Sequence, residues 1–222
     1  GICQGGNIKG AIMSDQVQTF GKLPISFNWL GVDSAILSAH KIGGPKGVGA
    51  LILADGIDAM SFIKGGGQEQ GRRSGTENLF GIIGFGASSL AAVKDLTDGV
   101  WERVAELRNK MEMRIADIAS DAIFIGKDVK RLPNTSNFSV PGWKGETQVM
   151  NMDLAGFAIS AGSACSSGKV KSSQALKAMG YNDITASSAI RVSLGPSTTE
   201  KEIMSFVDAW SKAYKKYAVK TA

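Results

Sequence analysis

A mixed α/β architecture in two parts is predicted, on three observations. Short apolar runs of strand length bracket glycine-rich stretches through the first 96 residues. Two long segments with apolar residues at helical spacing begin near Asn78 and Trp101. Beyond residue 97 short strands and turns alternate with brief helical runs. The expected domains are therefore 1–96, part of an α/β domain, and 97–222, a smaller α+β domain. At 222 residues the chain is long enough for one large domain or two modest ones.

Taken in order, Ala11 to Ser14 reads as a strand ending at Asp15. An acid at the carboxyl end of a strand in an α/β sheet either faces a ligand crevice or caps the following turn. Gln18 is three residues on, so a helical turn there would point both side chains the same way. Gly21 to Leu30 reads as a connection. Val32 to Leu37 and Gly49 to Leu53 are apolar strands framing the loop SAHKIGGPKGVG, with Lys41 inside the frame and Ser38 and His40 beside it. A lysine between apolar strands is expected to be held partly out of water, which frees its amine as a nucleophile; the alternative is a hairpin with a surface lysine. Phe62 to Gly75 is a second glycine-rich stretch, in which Arg72, Arg73, Ser74 and Thr76 offer cations and hydroxyls suited to a phosphate. It matches neither the GxxxxGK[ST] phosphate loop nor a dinucleotide-binding GxGxxG; a plain surface loop is the other reading.

A helix is expected from Asn78, interrupted at Thr97-Asp98-Gly99, and a second carries Trp101, Val104, Leu107, Met111, Ile115 and Ile118 as one buried face. Strands follow at Ala122 to Ile125, Thr135 to Val140 and Phe157 to Ser160, with a helical segment around Thr147 to Leu154. Ala161 to Gly168 is a run of small residues around Cys165, a candidate nucleophile if the loop is exposed and an incidental thiol otherwise. A short helix, Ser172 to Met179, ends at Gly180. The strand Ala189 to Leu194 carries Arg191 among apolar neighbours, so its guanidinium needs an anion, either a structural carboxylate or a substrate's. Thr199 and Glu202 form a capping box ahead of a last helix whose buried stripe is Ile203, Phe206, Val207, Trp210 and Tyr214.

Composition narrows the function classes. With 43% hydrophobic and 20% charged residues the chain reads as globular. No uninterrupted apolar run approaches the roughly 20 residues that cross a bilayer, and the opening segment lacks the order of a signal peptide, so a cytoplasmic protein without membrane attachment is expected. One histidine and two cysteines, Cys3 and Cys165, argue against a metal site or a disulfide scaffold. The net charge is +5, but the basic residues are dispersed, and Lys212, Lys215, Lys216 and Lys220 lie where cations complement a helix end; no direct nucleic-acid partner is expected.

Five stretches, in order, carry a resemblance: DQVQTFGK (15–22), VDSAILSAHKIGGPKGVGALIL (32–53), GGGQEQGRRSGTEN (65–78), SAGSACSSG (160–168) and IRVSLG (190–195). Together they resemble the cysteine desulfurases of the aminotransferase class V family, pyridoxal 5′-phosphate (PLP) enzymes of fold type I. The resemblance implies that residues 1–96 end the PLP-binding large domain and that 97–222 form the small domain bearing the cysteine loop. It implies that Lys41 anchors PLP covalently, Asp15 pairs with the ring nitrogen, Gln18 bonds the ring hydroxyl oxygen, and Ser38 and His40 hold the phosphate. Thr76 would join them from the other subunit of a homodimer. Arg191 would grip the carboxylate of L-cysteine, and Cys165 would take its sulfur as a persulfide. That sulfur would pass to an acceptor or iron–sulfur scaffold protein, for cluster assembly or tRNA thiolation.

Related activities, selenocysteine lyase or aminotransferase, and a truncated non-catalytic interaction protein are the other readings. The family's full chains begin well before this sequence, which would make it the C-terminal part of a longer chain. The upstream part supplies a ring-stacking histidine, further phosphate-binding residues and an asparagine near the ring. Met13 and Ser14 stand where many relatives have histidine and valine, and Gln70 stands where an arginine is common.

Overall fold

The computed structural model describes residues 10–162 and 173–221, which divide into two units, Gly1–Asp98 and Gly99–Ala222. Among the described residues the first unit has one three-stranded sheet, ordered β1 (Met13–Asp15), β2 (Ser34–Ser38), β3 (Gly49–Leu53). β1 and β2 run parallel, with Asp15 opposite Ile36, and β2 and β3 run antiparallel, with Ser38 opposite Gly49. A four-residue helix α1 (Phe27–Leu30) interrupts the stretch expected to be a plain connection.

Between β2 and β3 the chain does not pass straight into a loop. Residues Ala39–Ile42 form a 3₁₀ turn that Gly43 closes with a left-handed φ of 80°. Helix α2 (Leu79–Thr97) is capped by the Asn78 side chain, which accepts from the Gly81 amide at 3.1 Å. It packs against the lysine loop through its small residues. A Cβ on Gly84 would lie 2.5 Å from Pro45 Cγ, and one on Gly44 would lie 2.5 Å from Ser88 Oγ. Phe20 meets Phe85 of α2 edge-on, ring centres 6.5 Å apart.

Most of the large side chains of α2 face outward, with Phe80 89% exposed and Leu90 76%. By length and composition the helix is apolar enough to cross a membrane. Its glycines and serines break the uninterrupted apolar run, but they are too weakly polar to offset the leucines and isoleucines.

The second unit has a four-stranded antiparallel sheet ordered β4 (Ile123–Phe124), β5 (Thr135–Ser139), β7 (Ala189–Ser193), β6 (Ser160–Ala161). Helices α3 (Val100–Ile118) and α7 (Glu200–Thr221) pack on each other, and α3 also packs on β5. On α3 the expected stripe is buried from Trp101 to Ile115, while Ile118 is half-buried. On α7 it is buried from Ile203 to Trp210, while Tyr214 is half-buried. Phe138 and Trp210 meet edge-on with ring centres 5.7 Å apart, and Trp143 lies 5.4 Å from Trp210. Each such buried side chain contributes about 1.5–3 kcal/mol.

Helix α4 (Gly145–Leu154) is fastened by a fully buried glutamine. Gln148 donates to the Trp143 and Ser188 carbonyls at 2.9 and 3.0 Å and accepts from Trp210 Nε1 at 3.1 Å. Helix α5 (Gln174–Ala178) ends where Gly180, at φ 91°, lets Tyr181 N–H reach the Leu176 carbonyl. Helix α6 (Asp183–Ser188), absent from the sequence reading, starts at the Asn182 cap and leads directly into β7.

Candidate active site

The candidate residues of the first unit gather by topology. Asp15 ends β1 and Ser38 ends β2, and because the two strands are parallel their carboxyl ends lie on the same edge of the sheet. His40 and Lys41 follow on the 3₁₀ turn at that edge. In α/β sheets this is where a ligand crevice forms. Ser38 Oγ and His40 Nδ1 share a hydrogen bond at 2.8 Å, which holds a hydroxyl and an imidazole together as partners for an anion. Asp15 Oδ1 accepts from the Val17 amide at 2.9 Å, so the capping turn is formed, and its second carboxylate oxygen has no protein partner among the described residues. The chain from Gln16 to Lys22 runs through turns rather than a helix, with Gln18 exposed.

Lys41 corrects one expectation. It is exposed rather than held between the strands, because the 3₁₀ turn carries it past the end of the sheet. The buried amine here is Lys22, 8% exposed, which donates to the Gln18 carbonyl at 2.9 Å. Burial pushes its pKa below the ordinary lysine value, and the charge of Lys41 pushes it the same way. Sequence reasoning passed over Lys22, and nothing in its neighbours Gly21 and Leu23 marks it. The positive charge of Lys41, next in the chain to the hydrogen-bonded Ser38 and His40, makes a place where an anion is welcome.

In the second glycine-rich stretch Gly65 takes a φ of 156°, and in the tight turn two non-glycine residues, Glu69 at φ 51° and Gln70 at φ 58°, are left-handed ahead of Gly71 at φ 82°. Single non-glycine residues in this region cost of order 1–3 kcal/mol and persist where the surroundings hold them. Arg72 pairs with Asp58 at 2.9 Å, and Arg73 reaches the Gly75 carbonyl at 2.8 Å. These arginines are engaged with the protein, while Thr76 is exposed.

In the second unit Arg191 lies in the middle of the sheet, opposite Asn137 on β5 and Ser160 on β6. Its Nη2 is 3.5 Å from Ser160 Oγ, and its Nε is buried with no hydrogen-bond partner. No carboxylate among the described residues pairs with it, so the structural-carboxylate alternative has no support there. Cys165, like Cys3, lies outside the described residues.

These groups fit PLP in kind. A hydroxyl and an imidazole for a phosphate, a carboxylate for a ring N–H and an amine for an aldehyde sit along one sheet edge. The orphaned guanidinium nitrogen fits an anionic substrate.

Comparison with known proteins agrees with this chemistry. The aminotransferase class-V family model matches residues 6–206. A cysteine desulfurase IscS of Dictyoglomus turgidum is 38% identical over 203 residues, 91% of this chain and 51% of that protein. A cysteine desulfurase of Sinorhizobium fredii is 40% identical over 195 residues, 87% of this chain and 50% of that protein. The X-ray structure of a NifS-like protein from Rickettsia africae ESF-5 superimposes with a TM-score of 0.83 at 33% identity, covering 92% of this chain and 54% of that one. The chain thus spans about half the length of the curated relatives it matches. Class V aminotransferases and cysteine desulfurases depend on PLP, and the latter act on L-cysteine. From a match that runs through nearly all of its length, the chain belongs to the class V aminotransferase family.

Proposed function

We propose that this chain is the part of a PLP-dependent cysteine desulfurase that anchors the cofactor and takes up the substrate's sulfur. The observation that most supports this reading is the placement of Asp15 and of Ser38, His40 and Lys41 at the carboxyl ends of neighbouring parallel strands. Its relatives include proteins named for the activity.

In this reading Lys41 holds PLP covalently, Asp15 keeps the ring nitrogen protonated, and Gln18 bonds the ring hydroxyl oxygen. Ser38 and His40 bind the phosphate, joined by Thr76 of a second copy in a homodimer. When bound, PLP supplies an electron sink for the electrons released at the substrate Cα. Arg191 orients L-cysteine by its carboxylate, and the released Lys41 amine moves the Cα proton. The Cys165 thiolate attacks the substrate sulfur; the carbon–sulfur bond breaks, its electron pair takes up a proton on carbon, and L-alanine leaves with a persulfide remaining on Cys165. The balance is L-cysteine plus one thiol giving L-alanine plus one hydropersulfide.

Residues 1–96 then belong to the large PLP-binding domain and 97–222 to the small domain. The protein works in the cytoplasm and delivers sulfur to an acceptor or scaffold protein, without binding nucleic acid or membrane directly. The exposed apolar side chains of α2 pack against the remainder of a chain twice this length.

The full-length protein supplied with PLP, L-cysteine and a thiol reductant should form alanine and sulfide in equal amounts. Cys165→Ser should abolish sulfide release while leaving the bound-PLP absorbance intact, and Lys41→Ala should remove the cofactor trapped by borohydride. Sulfide release that persists in Cys165→Ser overturns the persulfide route and points to another class V activity.

A further inference from the structure

Arg191 has two cross-strand neighbours, Asn137 and Ser160, and of these two only Ser160 is hydrogen-bonded to its side chain. Directly paired residues of antiparallel strands project on the same face, so Asn137, Arg191 and Ser160 form a row across β5, β7 and β6. The residues alternating with them, Phe138 and Ile190, are buried in the core on the opposite face. Within the row two buried polar atoms lack partners, Arg191 Nε and Asn137 Oδ1. One is a donor and the other an acceptor, on residues that face each other. Leaving either unmatched is unfavourable, and a single bond from Nε–H to Oδ1 would remove both penalties.

A guanidinium presents two forked edges, one made by Nε and the adjoining Nη2, the other by Nη1 and Nη2. Ser160 Oγ already lies beside Nη2. We infer that Asn137 is a positioning residue for substrate recognition. By accepting from Nε it closes the first edge together with Ser160, so that Arg191 offers only its end-on fork to the carboxylate. Without Asn137 the guanidinium is no longer held in one orientation, and the carboxylate must order it on binding at the cost of affinity. This inference rests on the reading of Arg191 as the carboxylate anchor.

The test uses the PLP-loaded full-length protein and two readouts: KM and kcat for L-cysteine, and the dissociation constant of L-alanine by calorimetry. Asn137→Leu should raise both KM and the alanine constant about tenfold, the worth of one hydrogen bond, with kcat changed less than threefold. Asn137→Ser, too short to reach Nε, gives the same readout if the leucine variant does not fold. Arg191→Ala is the reference and should raise both constants by more than tenfold. If it does so while both Asn137 variants stay within twofold of the parent, the role assigned to Asn137 is wrong and the anchor reading stands. If Arg191→Ala itself leaves KM and alanine binding unchanged, the anchor reading fails and the inference with it.

Discussion

Glu112 is 2% exposed and ionised, and three side chains keep it so. Arg131 forks onto it at 2.8 and 2.7 Å, and Ser136 donates at 2.6 Å. Burial, the largest single influence, would raise its pKa; the hydrogen bonds from Arg131 and Ser136 and the charges of Arg131 and Arg108 together outweigh it, leaving the pKa below the ordinary carboxylate value. A carboxyl depressed in the folded state stabilises fully above its unfolded pKa, about 4.3, and that contribution is lost as pH falls through the lower folded value. Glu112→Gln is therefore expected to lower unfolding free energy by about 3–5 kcal/mol at pH 7 in urea titrations, because it takes the ion-pair partner from Arg131, whose side chain is 16% exposed. The gap to the parent should narrow below about pH 4; a gap independent of pH would mean that the ionised carboxylate is not its source. At this scale residue type carried the sequence reading to Asp15, Lys41 and Arg191. It could not reach Glu112, Lys22 or Asn137, whose surroundings depend on partners elsewhere in the chain or across a strand; Arg131 lies 19 residues from Glu112 and Ser136 lies 24.

Among the elements, those whose signal is periodic were legible. The buried stripes of α3 and α7 follow from three- and four-residue spacing, and the cap of α7 forms as a reciprocal pair, Thr199 N–H to Glu202 Oε2 at 2.8 Å and Glu202 N–H to Thr199 Oγ1 at 3.3 Å. Helix α6, six residues of DITASS, has no apolar period to read, and it exists because its Asn182 cap and its buried Thr185, Ala186 and Ser188 are held by the fold. The lysine turn was legible as a site but not as a shape. Its position depends on α2 coming close enough for Pro45 to sit on Gly84. Gly84→Leu, which places carbon 2.5 Å from the Pro45 ring, should shift the urea midpoint downward by an amount equivalent to about 1–3 kcal/mol and weaken PLP loading of the full-length protein. Unchanged loading would show that the turn is positioned from elsewhere.

For the whole molecule, the balance between exposed and buried surface separates the two units. The second has a core of aromatic rings from β5, α7 and the turn before α4, whereas the first leaves Phe62, Phe80, Met60 and Leu90 each more than three-quarters exposed. Asp15, Gln18, His40, Lys41 and Thr76 are exposed as well. A cofactor held by such groups competes with water at every bond. The 222-residue chain alone is thus expected to bind PLP weakly and an apolar dye strongly, and a version extended to the length of its relatives should reverse both. A strong visible PLP band from the chain alone would show that the surface described is sufficient.

The order of the motifs, the helical stripes and the chemical kinds of the site residues are properties of local spacing and residue type, and they are legible in the chain by itself. Which amine is buried, which guanidinium nitrogen lacks a partner and which strand ends share an edge are properties of neighbours brought together from distant positions. Long-range pairing across β1 and β2 and across β5, β7 and β6 settled those, because hydrogen bonds and desolvation act through space and leave no trace in the local pattern.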